Sequence, residues 1–187
     1  MKSGLAVAAG FWLSAWALAS TPGDAPVFDA AASQAGIEVD LRMGGRVRGA
    51  FRAMEGRIDR LDDDRLQVSV RLDARSLVLD GPEWMERSMR SSKFLNVQDH
   101  PAIHFRSEPF PPALVKEGGT LAGSVELRGV TRPVAFRVDP SACGAPGRDC
   151  NIEVSGEVSR HDFGMTAYRV WLRDEVGFHF HVRLRQD

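Results

Sequence analysis

From Ile37 onward, apolar side chains recur at every second position, and no other feature of the chain constrains its fold as much. Ile37, Val39, Leu41 and Met43 alternate with Glu38, Asp40 and Arg42 until Gly44-Gly45 turns the chain. Val47, Gly49 and Phe51 make a second run, and Leu66, Val68, Val70 and Leu72 a third after the acidic turn Asp62-Asp63-Asp64. Residues 121–127, 134–138, 152–158 and 176–184 repeat the pattern. Strict alternation gives each strand one dry and one wet face, as in antiparallel sheets. Runs of this kind joined by short turns predict a sandwich or a barrel. Gly49, Gly123 and Gly156 interrupt the dry rows. Glycine inside a strand permits the sharp bends that closing a barrel requires, which favours the barrel.

One stretch breaks the period. In "GPEWMERSMRSSKF" Pro82 suits the first turn of a helix, Met85 and Met89 are four apart, and Trp84 lies beside them. This predicts a single short helix inserted between strands, followed by an extended "HPAIHF". No internal repeat or second-domain boundary is visible.

The chain opens with "MKSGLAVAAGFWLSAWALAS", in which Lys2 precedes an apolar run over residues 5–18 and Ala17-Leu18-Ala19 offers a small-x-small cleavage site. This reads as a signal peptide covering residues 1–19. The run falls short of the roughly 20 residues that span a bilayer, no Cys follows it to carry a lipid anchor, and no later segment suits a membrane span. Residues 20–36 form a lead-in of Ala, Ser, Pro and Gly, and 37–187 the folded domain. A formal net charge of −1, with both signs mixed along the strands, leaves no basic stripe and excludes nucleic acid as a partner. Cys143 and Cys150 flank a Gly/Pro turn in "SACGAPGRDC". In an oxidising compartment they are placed to pair, and closing so short a loop stabilises the fold by about 2–3 kcal/mol. They are not spaced as a CxxC redox site.

No catalytic constellation stands out. His179 and His181 share one strand face, His100 and His104 lie on another strand, and His161 comes from a separate loop, so no three-ligand set of the kind zinc requires is spelled out. There is no GxSxG elbow. The expectation is a protein that is not an enzyme and has no metal or cofactor. The large side chains are more telling. Phe51, Phe94, Phe105, Phe136, Phe163, Met165, Trp171, Phe178 and Phe180 lie mostly on dry rows, and parity alone cannot distinguish a filled barrel from one with a lumen.

At "SRHDFGM", residues 159–165, the chain resembles the YceI-like, polyisoprenoid-binding family, whose signature reads N/S-R-x-D-F-G-L/M. "GGRVRGAFRAMEGRI", "MRSSKFLNVQDHPAIHFRS" and "GTLAGSVELRGVTRPVAFRV" are similar to further family blocks in the family's order, so the likeness covers residues 33–185. Where the family often carries a His near the end of its first strand, this chain has Leu41-Arg42. The resemblance implies an all-β fold: an antiparallel, up-and-down, lipocalin-like barrel of about eight strands with a lengthwise tunnel. It also implies a periplasmic protein that sequesters a long isoprenoid, a quinone or a fatty amphiphile. On that reading Phe51, Phe105, Phe136, Trp171, Phe178 and Phe180 line the tunnel. Phe163 and Met165 sit at the signature loop, Phe94 follows the helix, and Tyr168 with Arg169 meets a polar head. The helix over Trp84–Met89 covers one end. Arg160 and Asp162 pair to hold the loop. Alternatives left open are a quinone-carrying partner of a membrane cytochrome b, a His-based metalloenzyme and a homodimer.

Overall fold

The computed structural model describes residues 25–186; the signal-peptide reading falls on residues outside that range. Ten antiparallel strands form, against about eight expected: β1 (Gln34–Leu41), β2 (Arg46–Phe51), β3 (Met54–Arg60), β4 (Leu66–Asp73), β5 (Leu77–Leu79), β6 (Ala102–Ser107), β7 (Gly119–Leu127), β8 (Val130–Val138), β9 (Ile152–Ser159) and β10 (Leu172–Val182). Their order across the sheet is β3-β4-β6-β7-β8-β9-β10-β1-β2-β5. Only Arg52 and Ala53 separate β2 from β3, and a single 3-10 turn, Ala74–Ser76, separates β4 from β5. The two ends of the sheet are thus halves of one bent hairpin, since β2 pairs with β5 and β3 with β4. The sheet curls back on itself as a barrel, with β1 pairing β10 from Gln34↔His181 to Leu41↔Leu172 and a register shift between Val39 and Leu41.

The expected helix is present as α1 (Glu83–Arg90), with Pro82 at its N-cap. A second, one-turn helix, α2 (Leu114–Glu117), lies between β6 and β7 and had no periodic signal in "PPALVKE". The lead-in shows more structure than its composition suggested. β1 begins at Gln34, three residues ahead of the expected start. Before it, the Phe28 amide donates to the Gly56 carbonyl (2.7 Å) and the Ile58 amide to that of Pro26 (2.9 Å). Arg185 donates to the Val27 carbonyl (2.9 Å). Residues 26–28 thereby cover the free edge of β3 and tie it to the C-terminal segment, with Phe28 buried. A three-residue staple of this kind is too short to carry a period. Cys143 and Cys150 form the expected disulfide.

The wall is weakest between β8 and β9, which pair only at Arg137↔Ser155 and Val138↔Val154. Pro133, which has no amide to donate, sits on the stretch of β8 that faces this opening. The 3-10 turn Arg160–Phe163 contacts β8 across it, and the Arg128 guanidinium reaches over to the carbonyls of Gly164 (3.3 Å) and Ser92 (3.1 Å).

The strand glycines have a more specific reason than bending. A Cβ on Gly156 would lie 2.4 Å from the Phe136 ring, one on Gly123 would lie 2.6 Å from the Phe105 ring, and one on Gly56 would lie 2.3 Å from the Phe28 ring. Each glycine is a seat for an aromatic ring from a neighbouring segment, the pairing by which a ring covers the backbone a glycine leaves bare. Gly156→Val is expected to force Phe136 off its rotamer and to cost about 1–3 kcal/mol, read as a lower urea midpoint with an unchanged slope.

Candidate functional site: two apolar chambers divided by phenylalanine

The barrel interior holds two cavities at opposite ends. The upper chamber has a volume of about 440 Å³. One wall is the dry row of β1, Ile37, Val39 and Leu41, with Val47 and Leu79 beside it. Trp84, Met85 and Met89 of α1 form the roof, Phe94 the floor, and Tyr168, Trp171 and Leu172 the far side. Ser88 and the Tyr168 hydroxyl are its polar groups. Two side chains hold the helix in this position. The Glu86 carboxylate accepts from the Leu79 amide (3.1 Å), and Arg90 donates to the Leu77 carbonyl (2.5 Å). No residue of α1 is fully buried, because its apolar face looks into a cavity instead of a packed core.

The lower chamber measures about 80 Å³ and lies between Phe28, Phe110, the one-turn helix residues Leu114 and Val115, and the rings of Phe105, Phe136 and Phe180. A narrow space of about 40 Å³ extends from the upper chamber down to Phe51 and Phe178. It shares Ile37, Val39, Met89, Phe94 and Leu172 with the chamber above and no residue with the chamber below. Between them stands a layer of rings. Phe136 packs edge-on against Phe105 (5.2 Å), Phe180 (5.8 Å) and Phe178 (6.4 Å), and Phe178 stacks on Phe180 (6.1 Å). Edge-to-face contact is the favoured arrangement for such rings. The expected lengthwise tunnel is therefore corrected to two chambers on either side of an aromatic partition.

The sequence-predicted residues divide accordingly. Phe94, Tyr168 and Trp171 line the upper chamber. Phe51, Met165 and Phe178 face the narrow space beneath it. Phe105, Phe136 and Phe180 belong to the partition and the lower chamber. Phe163 lines neither and is 2% exposed in the core. Trp171 is at the rim, 57% exposed, because β10 starts only at Leu172. The expected site omitted Ile37, Val39 and Leu41, whose alternation was visible, and Phe28, Phe110, Leu114 and Val115, which carried no pattern.

The signature loop is held in an unexpected way. Arg160 does not pair with Asp162. It is 2% exposed and donates to the carbonyls of Met165 (2.6 Å), Ala167 (2.7 Å) and Arg173 (3.0 Å). Burial lowers its pKa from the ordinary guanidinium value, and the Asp174 carboxylate opposes that shift. Asp174 itself accepts from Ser159 Oγ (2.8 Å) and the His161 amide (3.1 Å) and lies 3.0 Å from His161 Nδ1. This clamp sets the loop that follows. There Tyr168 takes a left-handed backbone (φ 57°), costly for a non-glycine residue, and its ring stacks on Phe94 at 5.5 Å. Arg160→Met, which leaves three carbonyls without donors, is expected to destabilise the protein by about 3 kcal/mol, measured by urea unfolding.

The other histidines are dispersed over the outer face. His179 Nε2 is 3.4 Å from Glu38, His181 pairs with Glu153, His104 stands opposite Glu126 and Arg71, and the His100 ring lies over Gly129. Among the described residues no three His, Cys, Asp or Glu side chains converge as a metal site, and no helix is long and apolar enough to cross a membrane.

The fold is that of solved proteins with little sequence identity. Burkholderia cenocepacia BcnA superposes with a TM-score of 0.69 at 16% identity, over 85% of this chain and 99% of its own. A polyisoprenoid binding domain from Saccharophagus degradans, implicated in plant cell wall breakdown, gives 0.66 at 14% identity over 87% and 99%. The Campylobacter jejuni YceI protein gives 0.55 at 16% over 74% and 85%. No curated protein matches in sequence. The model of the YceI-like domain matches residues 27–184, from the N-terminal staple to the last bridge of the barrel, and the chain belongs to that family.

Proposed function

We propose that this protein binds an isoprenoid or a related amphiphile without chemically changing it, holding the apolar tail in the upper chamber with the polar head at the mouth. The observation that carries this reading is the chamber itself: about 440 Å³ walled by aliphatic, thioether and aromatic side chains. Family membership and the likeness to a polyisoprenoid binding domain support it. The N-terminal apolar run supports a periplasmic location.

The geometry limits the tail. At about 30 Å³ per heavy atom, the share of a water molecule in the liquid, a five-carbon prenyl unit fills about 150 Å³, so the chamber holds about three. At about 0.8 kcal/mol per carbon, fifteen buried carbons contribute roughly 12 kcal/mol gross. Subtracting an association cost of at least about 4 kcal/mol leaves a Kd near the micromolar range. A longer tail has to displace the Phe136–Phe178 layer or leave carbons outside the mouth. A quinone would place its tail the same way, and delivery to a membrane cytochrome b is the second use this site could serve.

Extraction of protein purified without detergent, followed by mass spectrometry, tests the reading: a prenyl-chain lipid is expected. Absence of any lipid, together with failure to take up a fluorescent farnesyl probe, overturns it. Met89→Trp, which fills the chamber from a helix with no buried residue, is expected to weaken probe binding about tenfold or more with little change in unfolding midpoint.

A further inference from the structure

Among the described residues, the large apolar side chains that stand exposed are, Val27 apart, gathered at or beside the mouth of the upper chamber. Met43 is 84% exposed, Val170 76%, Trp84 60%, Trp171 57% and Tyr168 44%. Trp84, Tyr168 and Trp171 line the opening. Met43 and Val170 belong to two turns laced together beside it. The Arg42 amide donates to the Trp171 carbonyl (2.9 Å), and Arg42 Nε donates to those of Arg169 (2.8 Å) and Leu172 (3.2 Å). The amides of Trp171 and Leu172 both donate to the Tyr168 carbonyl (2.9 Å each), so Val170 and Trp171 are held outward by a closed turn. Single exposed apolar residues are ordinary on a protein surface, whereas a contiguous group round one opening marks a contact surface.

The charge on the same turns has one sign. Residues 41–45 and 166–173 contain Arg42, Arg169 and Arg173 and no acidic residue. Three acidic groups nearby are engaged, Asp40 with Arg46 (2.7 Å), Glu83 with Arg87 (3.4 Å) and Glu86 with Arg90 (3.4 Å), whereas Asp80, which follows Leu79, has no cationic partner among the described residues. Among the described residues, Arg42, Arg169 and Arg173 have no carboxylate partner within salt-bridge distance. Tryptophan, tyrosine and arginine interleaved round an apolar tip is the composition suited to a membrane interface. There the rings settle at headgroup depth and the guanidinium groups meet phosphate.

We infer that the mouth of the upper chamber docks on the surface of an anionic phospholipid bilayer, with Met43, Trp84, Val170 and Trp171 entering the interface and Arg42, Arg169 and Arg173 contacting lipid phosphates. The inference rests on the lipid-binding reading for what passes through the mouth. A protein partner or a second copy of the chain would seal the opening. A bilayer leaves it facing the phase in which a prenyl tail dissolves.

Flotation of the purified full chain with vesicles tests the inference, alongside uptake of a fluorescent farnesyl probe in vesicle-free buffer. The protein is expected to float with vesicles of phosphatidylcholine and phosphatidylglycerol in equal parts, less with phosphatidylcholine alone, and less in high salt, which screens the arginines. Met43→Glu combined with Val170→Glu changes two exposed residues that line neither chamber. It is expected to lower vesicle partitioning about tenfold or more while probe uptake and circular dichroism stay unchanged. Val170→Ser alone gives the same direction should the double variant fail to fold. Protein that takes up the probe yet stays at the bottom of the gradient with both vesicle types overturns the docking and leaves the lipid-binding reading standing. Protein that floats but carries no lipid and takes up no probe upholds the docking and overturns that reading. A dimer seen by light scattering, abolished by the double variant and unaccompanied by flotation, assigns the face to a second copy and overturns the docking.

Discussion

Phe136 is the side chain on which the interior depends. Its ring occupies the space that Gly156 leaves on the neighbouring strand, and from there it meets Phe105, Phe178 and Phe180. A barrel of this size has room for side chains or for a small ligand, and rarely for both along its whole length. By filling the middle, Phe136 and its neighbours leave cavity only at the two ends. They also join the inner faces of β6, β8 and β10, which compensates for the sparse pairing between β8 and β9. Core integrity and chamber depth are therefore set by the same contacts.

The two ends are built differently because different segments close them. At the lower end the residue 26–28 staple, Phe110 and the one-turn helix α2 leave little free space. At the upper end the closing element is an amphipathic helix attached by its Glu86 and Arg90 side chains, and its methionines face a void. Methionine adapts to contents of varied shape at small cost. An arrangement of this sort favours a ligand that enters from above and is chosen by length and girth more than by polar contacts.

Arg160 shows how a family signature can be about architecture. Buried and bonded to three carbonyls, it fixes the stretch from Met165 to Arg173, and that stretch supplies Tyr168 and Trp171 to the mouth. A buried guanidinium is tolerable because its Nε and Nη1 bond three carbonyls and the Asp174 charge is close, although Nη2 has no partner among the described residues. The loop is consequently rigid at its base while its tip, Val170, stands in solvent.

The antiparallel barrel, the single long-enough helix and the disulfide were legible from local pattern: alternation along Ile37–Leu41 and Val176–Val182, the Met85/Met89 spacing after Pro82, and two cysteines across a turn. Each depends on residues close in sequence, where period and turn chemistry act directly. The staple at Phe28, the seating of Phe136 on Gly156 and the carbonyl bonds of Arg160 join residues far apart in the chain and leave no period to read. Alternation determined which side chains point inward. How those side chains divide the space among themselves was decided only when the strands brought their rings together, because packing depends on which rings meet across the barrel and not on the order in which the chain supplies them.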